Sequence, residues 1–303
     1  MRRYLLAAAI AGAAITAVPD PAVALMIAPP QPGQMAITSP VVLTGKVTAI
    51  EKDTVDATLP YAGAKDKQTY RVAVVKIDAA MAGADNLTHI KIGFVPPAKP
   101  DPNLNPPGGG IRPPLGRPRF QAPELKVGQE ALFFLAKHPT ADFYVIAGMN
   151  VPIDVTTAEG KKTLEEVKKV TAVLADPMKG LKSDKADARA EAAAVMVTKY
   201  RSYPTFGGET EQVAIGADES KLILKALTES EWKAGRFGAP NAFNAFGQLG
   251  LTAKDGWIQP VIAAVPGQPA PDYAGVMKDA FTKWLAGPGK DYRIKKVVPK
   301  AAK

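Results

Sequence analysis

The sequence predicts an α+β protein in which a small antiparallel barrel or sandwich precedes an α-helical half. Three observations carry this. Between residues 41 and 147 the apolar residues come in short β-branched or alternating runs separated by turn residues. From about residue 156 the apolar spacing changes to three and four, the period of an amphipathic helix. Between the third and fourth runs lies a segment too rich in proline to join either pattern.

Residues 41–50 alternate roughly and carry Gly45 in the middle, where a barrel strand often bends. A second strand over 67–78 has Tyr70, Val72, Val74, Val75 and Ile77, and the small, Gly-containing stretch 79–84 ends it. Residues 89–95 make a third. Residues 130–137, with Leu132, Phe133, Phe134 and Leu135, and then 142–147 form a hairpin around Pro139. Five or six strands separated by turns define the barrel or sandwich, spanning 41–155. In front of it, 25–40 carries Pro29, Pro30, Pro32 and Pro40 among small residues and reads as a disordered lead-in.

The interruption, 96–123, has ten prolines in 28 residues together with Gly108-Gly109-Gly110 and Gly116. Proline removes a backbone donor and fixes φ, so this stretch is neither helix nor central strand. It carries Arg112, Arg117 and Arg119, with no acid between Asp101 and Glu124. It reads as a mobile, basic, partly polyproline-II loop leaving the barrel.

The helical domain, 156–303, opens with Leu164, Val167, Thr171 and Leu174, where Thr163 and Glu166 make a capping box unless the helix starts earlier, and Asp176-Pro177 ends the run. Ser183 or Asp184 caps a second, alanine-rich helix over 185–202 that stops before Pro204. Asp218 caps a third, with Leu222, Ile223, Ala226 and Leu227 on one face. Pro240 suits the first turn of a short helix through Phe243, Phe246 and Leu249. Asp272 caps the last, which ends before Gly287. An extended, basic C-terminal tail follows from 291.

The first 24 residues read as a signal peptide. Arg2 and Arg3 precede an uncharged apolar run from Leu5 to Val18, Pro19-Asp20-Pro21 breaks it, and Ala22-Val23-Ala24 fits a cleavage site. Cleavage between Ala24 and Leu25 starts the mature chain. The run of 14 residues is shorter than the ~18–20 that span a bilayer. An exported, periplasmic or secreted protein without a membrane span in its mature form is expected.

The chain has 303 residues and no cysteine, which excludes disulfides, thiol catalysis, zinc–thiolate sites and iron–sulfur clusters. Without Arg2, Arg3 and Asp20 the formal charge falls from +9 to +8. A basic exported protein meets acidic proteins or anionic envelope polymers; nucleic acid is not expected as a partner outside the cytoplasm.

Two stretches carry a resemblance. Val42-Leu43-Thr44-Gly45-Lys46-Val47, the strand Tyr70 to Ile77, Ile90-Lys91-Ile92-Gly93 and the run from Leu125 to Leu135 resemble the netrin-module or metalloproteinase-inhibitor type of OB-fold barrel. The resemblance covers 41–155 and implies an OB-like antiparallel barrel interrupted by the Pro-rich loop. In the inhibitor family an N-terminal cysteine chelates the target's metal; this chain has none, so that activity does not carry over. The second half resembles helical C-terminal regions of uncharacterised exported bacterial proteins, which implies no activity. Its carriers are 219–232, 241–251, Lys254-Asp255-Gly256-Trp257 and the end from Trp284 to Ile294.

Catalytic patterns are scarce. The five serines, 39, 183, 202, 220 and 230, lack a nucleophile-elbow context, and Ser183 and Ser220 read as helix-start residues. His89 and His138 are the only histidines and fall in separate strand regions, so no metal site is expected. Carboxylates such as Glu124, Glu130 and Asp142 near strand ends could serve glycoside hydrolysis, without a spacing that selects a pair. No nucleotide-binding loop occurs and no cofactor is expected. Phe243, Phe246, Trp257, Phe281 and Trp284 read as core, with a ligand groove as the alternative.

The resulting expectation is an exported, non-catalytic binding or scaffold protein of the bacterial envelope. Arg112, Arg117 and Arg119 would contact carboxylate or phosphate, with a variable disordered insertion as the alternative reading of their loop. The alternative is an exported hydrolase of polysaccharide or peptide, which requires titratable groups converging in a cleft between barrel and helices.

Overall fold

A strand whose apolar residues run without interruption must bury both faces, and this requirement organises the molecule. A computed structural model describes residues 31–96, 124–146, 148, 150–233, 240–262 and 271–300. Strand β4 (Glu130–Lys137) is buried from Ala131 to Ala136. Its side chains alternate across the sheet. Ala131, Phe133 and Leu135 enter one core cluster with Leu43, Val75 and Ile92, whereas Leu132 and Phe134 enter another with Ile37, Val167, Val170 and Val195. The second cluster joins the sheet to the helices, so the two halves share a core.

Six strands form the main sheet: β1 (Val41–Thr58), β2 (Lys67–Ala82), β3 (His89–Phe94), β4, β5 (Tyr144–Ile146) and β6 (Ile153–Asp154). The order is β1-β2-β3-β5-β4-β6, and β1 also pairs with β4, from Val41↔Leu135 to Lys46↔Glu130. The pairings β1–β2, β2–β3, β3–β5, β5–β4 and β4–β1 therefore return to their starting strand. The expectation of an antiparallel sheet fails at one place: β3 and β5 are parallel, with Ile92 opposite Tyr144. A closed cycle of five strands cannot alternate direction throughout, so one parallel pair is unavoidable. Gly45 sits where β1 has both partners, and a Cβ there would lie 2.5 Å from the Lys76 carbonyl oxygen. Close backbone approach explains this glycine.

The disordered lead-in reading of 25–40 needs correction over 31–40, the part of it that lies among the described residues. Pro32–Thr38 is a helix, α1, with Met35, Ala36 and Ile37 buried in the cluster that joins the halves. Pro32 occupies a first-turn position, where its missing N–H costs nothing. Pro40 bars continuation. The signal region and residues 97–123 with Arg112, Arg117 and Arg119 lie outside the described residues.

Helix α2 (Ala158–Ala175) starts earlier than the Thr163–Glu166 box, because Thr157 Oγ1 accepts from Gly160 N at 3.0 Å. Asp176 both ends it and caps the short α3 (Pro177–Leu181). Helix α4 (Ala186–Arg201) is buried continuously from Ala192 to Thr198. A helix apolar on all sides belongs in the interior, and α4 is the central rod of the helical half. Gly216, not Asp218, precedes α5 (Ala217–Glu229). Asn241 Oδ1 caps α6 (Ala242–Leu249), so Pro240 stands just outside it. Asp272 caps α7 (Tyr273–Ala286) as its sequence predicts. The basic tail contains a strand, β8 (Lys295–Pro299), which pairs antiparallel with β7 (Thr210–Ala214). No helix among the described residues is long and apolar enough to cross a membrane.

Candidate functional site

Four element ends meet where the sheet joins the helices. Thr38 closes α1, Lys137 closes β4, Lys199 lies in the last turn of α4, and Pro299 closes β8. Together with residues 202–207 they line a cleft of about 580 Å³. Helix α4 must end here because Pro204 follows two residues past its C-cap, Ser202. The turn that results carries Tyr203, which is largely exposed.

Among the described residues, Lys137 and Lys199 are the charged residues of this cleft, and no carboxylate or histidine lines it. Thr38, Ser202, Tyr203 and Thr205 supply hydroxyls. Lys199 Nζ donates to the Ile37 carbonyl at 3.0 Å. Burial of its ammonium end pushes the Lys199 pKa below its ordinary value. The side chain as a whole is exposed, so water screens most of that penalty. Ser202 Oγ donates to the Thr198 carbonyl at 2.6 Å. The lysine and the serine thus each bond to a backbone carbonyl, which is not the nucleophile–base arrangement a hydrolase needs.

A smaller concavity of about 400 Å³ shares Thr38, Ser202 and Tyr203 with the cleft. Arg201 stands in its wall, donating from Nε to the Gln248 carbonyl at 2.9 Å and from Nη1 to the Lys295 carbonyl at 3.2 Å. Thr198, 4% exposed, also belongs to this wall, and its Oγ1 has no hydrogen-bond partner among the described residues. No ion pair among the described residues involves Lys137, Lys199 or Arg201. Three cations without carboxylate partners among the described residues, surrounded by hydroxyls, can take up an anionic group.

Beyond Gln34 and Gln248, which line both, a third concavity of about 480 Å³ opens among α6, α7 and Trp257. Its lining among the described residues is uncharged: Phe243, Phe246, Trp257 and Tyr273 supply aromatic surface, and glutamines with Asn244 supply amides.

The sequence-derived candidates disperse. His138 is 2% exposed; its Nε2 meets the Thr58 carbonyl at 2.9 Å and its Nδ1 accepts from Ala141 N at 3.1 Å. It is a satisfied core residue. His89 is exposed beside Thr88. No group of three His, Cys, Asp or Glu among the described residues could hold a metal ion. Glu130 pairs across the strands with Lys46 at 2.9 Å, and Glu124 and Asp142 are exposed. Ser183 Oγ accepts from Lys185 N beside the start of α4, whereas Ser220 is fully buried and accepts from Ile294 N at 3.0 Å. Among the aromatics, Phe281 and Trp284 pack in the helical core, but Phe243, Phe246 and Trp257 also face the third concavity. Reading the sequence missed Lys137, Lys199 and Arg201. Lys199 and Arg201 in a helix's last turn read as dipole compensation, and only tertiary structure brings Lys137 beside them.

No protein-family model matches this chain, and no curated protein sequence matches it.

Proposed function

We propose that the chain is an exported binding protein of the bacterial envelope, without catalytic chemistry of its own, whose cleft holds a segment of an anionic polymer. The observation that carries this is the lining of the cleft and its neighbour: three cations and several hydroxyls, with no carboxylate among the described residues. A narrow concavity suits a polymer strand better than the broad face of an acidic protein, because stable protein interfaces bury about 800 Å² per partner. Export rests on the N-terminal sequence alone. The strand order, in which β1 meets β4 and β3 runs parallel to β5, supports an OB-type barrel; such barrels bind oligomers along one face. Arg112, Arg117 and Arg119 belong to the proposal as a second group of cations on the Pro-rich loop.

Polygalacturonate, a soluble polycarboxylate, tests it by titration calorimetry. Saturable binding that weakens at least tenfold in Lys137→Ala/Lys199→Ala is expected. Binding that survives this double substitution but disappears in Arg112→Ala/Arg117→Ala/Arg119→Ala would move the site to the loop. Absence of binding by the unaltered chain would overturn the polymer reading.

A further inference from the structure

We propose that the uncharged concavity among α6, α7 and Trp257 is a binding site for a neutral saccharide unit. The inference concerns a different pocket and ligand from the cationic cleft and stands independently of it. A volume of about 480 Å³ lies within the ~300–1,000 Å³ usual for small-ligand sites.

The chemistry of the wall selects the ligand. Among the described residues no charged group lines the concavity, so a charged ligand would be desolvated there without a partner from them. One side is aromatic. Phe246 and Trp257 meet with centroids 5.3 Å apart, and Phe243 and Tyr273 stand edge-to-face at 87° and 6.0 Å. The rings hold one another in place, and Tyr273, 47% exposed, extends the aromatic wall outward. The other side is amide. The half-buried Gln34 and Gln248 have no side-chain hydrogen bond among the described residues. Gln259 accepts from Trp257 Nε1 at 3.2 Å and turns its NH₂ toward the Met277 sulfur at 3.5 Å, a weak acceptor that a better one can replace.

A pyranose ring has what both sides need. Its C–H face is apolar and flat enough to lie on an aromatic ring, and its hydroxyls both donate and accept. Carboxamides likewise offer donors and acceptors, so each glutamine can be satisfied at both ends. A polyproline segment also stacks on aromatic surfaces. It only accepts hydrogen bonds, however, and would leave the amide oxygens of Gln34 and Gln248 unpaired. A purely apolar ligand would strand the amides altogether.

The test titrates the chain from residue 25 with three neutral tetrasaccharides: a β-1,4-glucan, its N-acetylglucosamine counterpart and an α-1,4-glucan. Calorimetry is run at low and high salt, with tryptophan fluorescence alongside. Saturable binding of at least one is expected, unchanged by salt and by Lys137→Ala/Lys199→Ala. Tyr273→Ala and Gln248→Ala should each weaken it at least tenfold while thermal unfolding stays in place, since Tyr273 is exposed and Gln248 half-buried. The proposal is overturned if none of the three sugars binds, or if binding persists in both variants. A proline decamer or hexanol that binds at this site when no sugar does would overturn it equally. Polygalacturonate tests the cleft separately, so either assignment can fail alone.

Discussion

On one side of Gln34 and Gln248 lie the cations of the cleft, and on the other an aromatic pocket without charge among the described residues. The two are built differently. The cleft takes its charges from residues at element ends, Lys137 and Lys199, whose side chains reach solvent and carry little packing. The pocket takes its aromatic wall from the core itself: Phe246 and Trp257 belong to the same buried cluster as Phe281 and Trp284. Charge in the cleft is thus separable from stability, whereas the inner aromatics cannot be removed without unfolding effects. Tyr273 is the exception on the pocket's rim.

Phe134→Ala should break both sites at once. Phe134 is 1% exposed and fills the cluster that seats α1, which contributes Gln34 to the pocket and Thr38 to the cleft. Chemical denaturation should show a loss of about 3–5 kcal/mol, in a single transition. Two separate transitions would mean that sheet and helices do not share a core.

Ser220→Ala should separate the two sites. Its buried hydroxyl accepts from the Ile294 N–H, just ahead of the β8 strand that walls the cleft. Losing that acceptor leaves a buried donor unpaired, at a cost of about 1–3 kcal/mol. Faster amide exchange at 294–298 with an unchanged pocket is the expected result; equal loosening of α6 would contradict it.

A smaller effect appears at high pH. Burial first, and then the charge of Asp255, push the Tyr292 pKa up from 10.0 to about 12. Burial and the carboxylate of Glu219, which accepts from its hydroxyl, raise Tyr200 as well. The unfolded chain releases these protons near 10 and the folded chain later. Their stabilising contribution is therefore complete below pH 10 and declines as pH rises toward 12. Absorbance at 295 nm should show late-ionising phenols that join the others on denaturation. Ionisation of every phenol near 10 in the folded protein would show that the core between the sites is open.

Legibility followed locality. The bounds of β4 match the sequence reading because charged residues flank an unbroken apolar run, and the Asp272 cap of α7 lies next to its helix. Helix α1 was hidden because seven residues are too few to show a period and its prolines imitate disorder. Strand β7 has almost no buried residue, and its existence depends on β8, about eighty residues away. The cleft draws on four separated stretches, each of which reads locally as something ordinary. Three of the pocket's aromatics were visible as candidates; its amides were not, since an isolated glutamine carries no pattern.

The most direct test of the central claim is the salt dependence of polygalacturonate binding, measured on the unaltered chain and on Lys137→Ala/Lys199→Ala. Affinity for the unaltered chain should fall steeply between ~0.01 and ~0.15 M salt, as the screening length contracts from ~30 to ~8 Å, and the double variant should bind weakly with a shallow slope. Equal affinities and equal slopes for the two proteins would contradict an anion-binding cleft at the junction of sheet and helices.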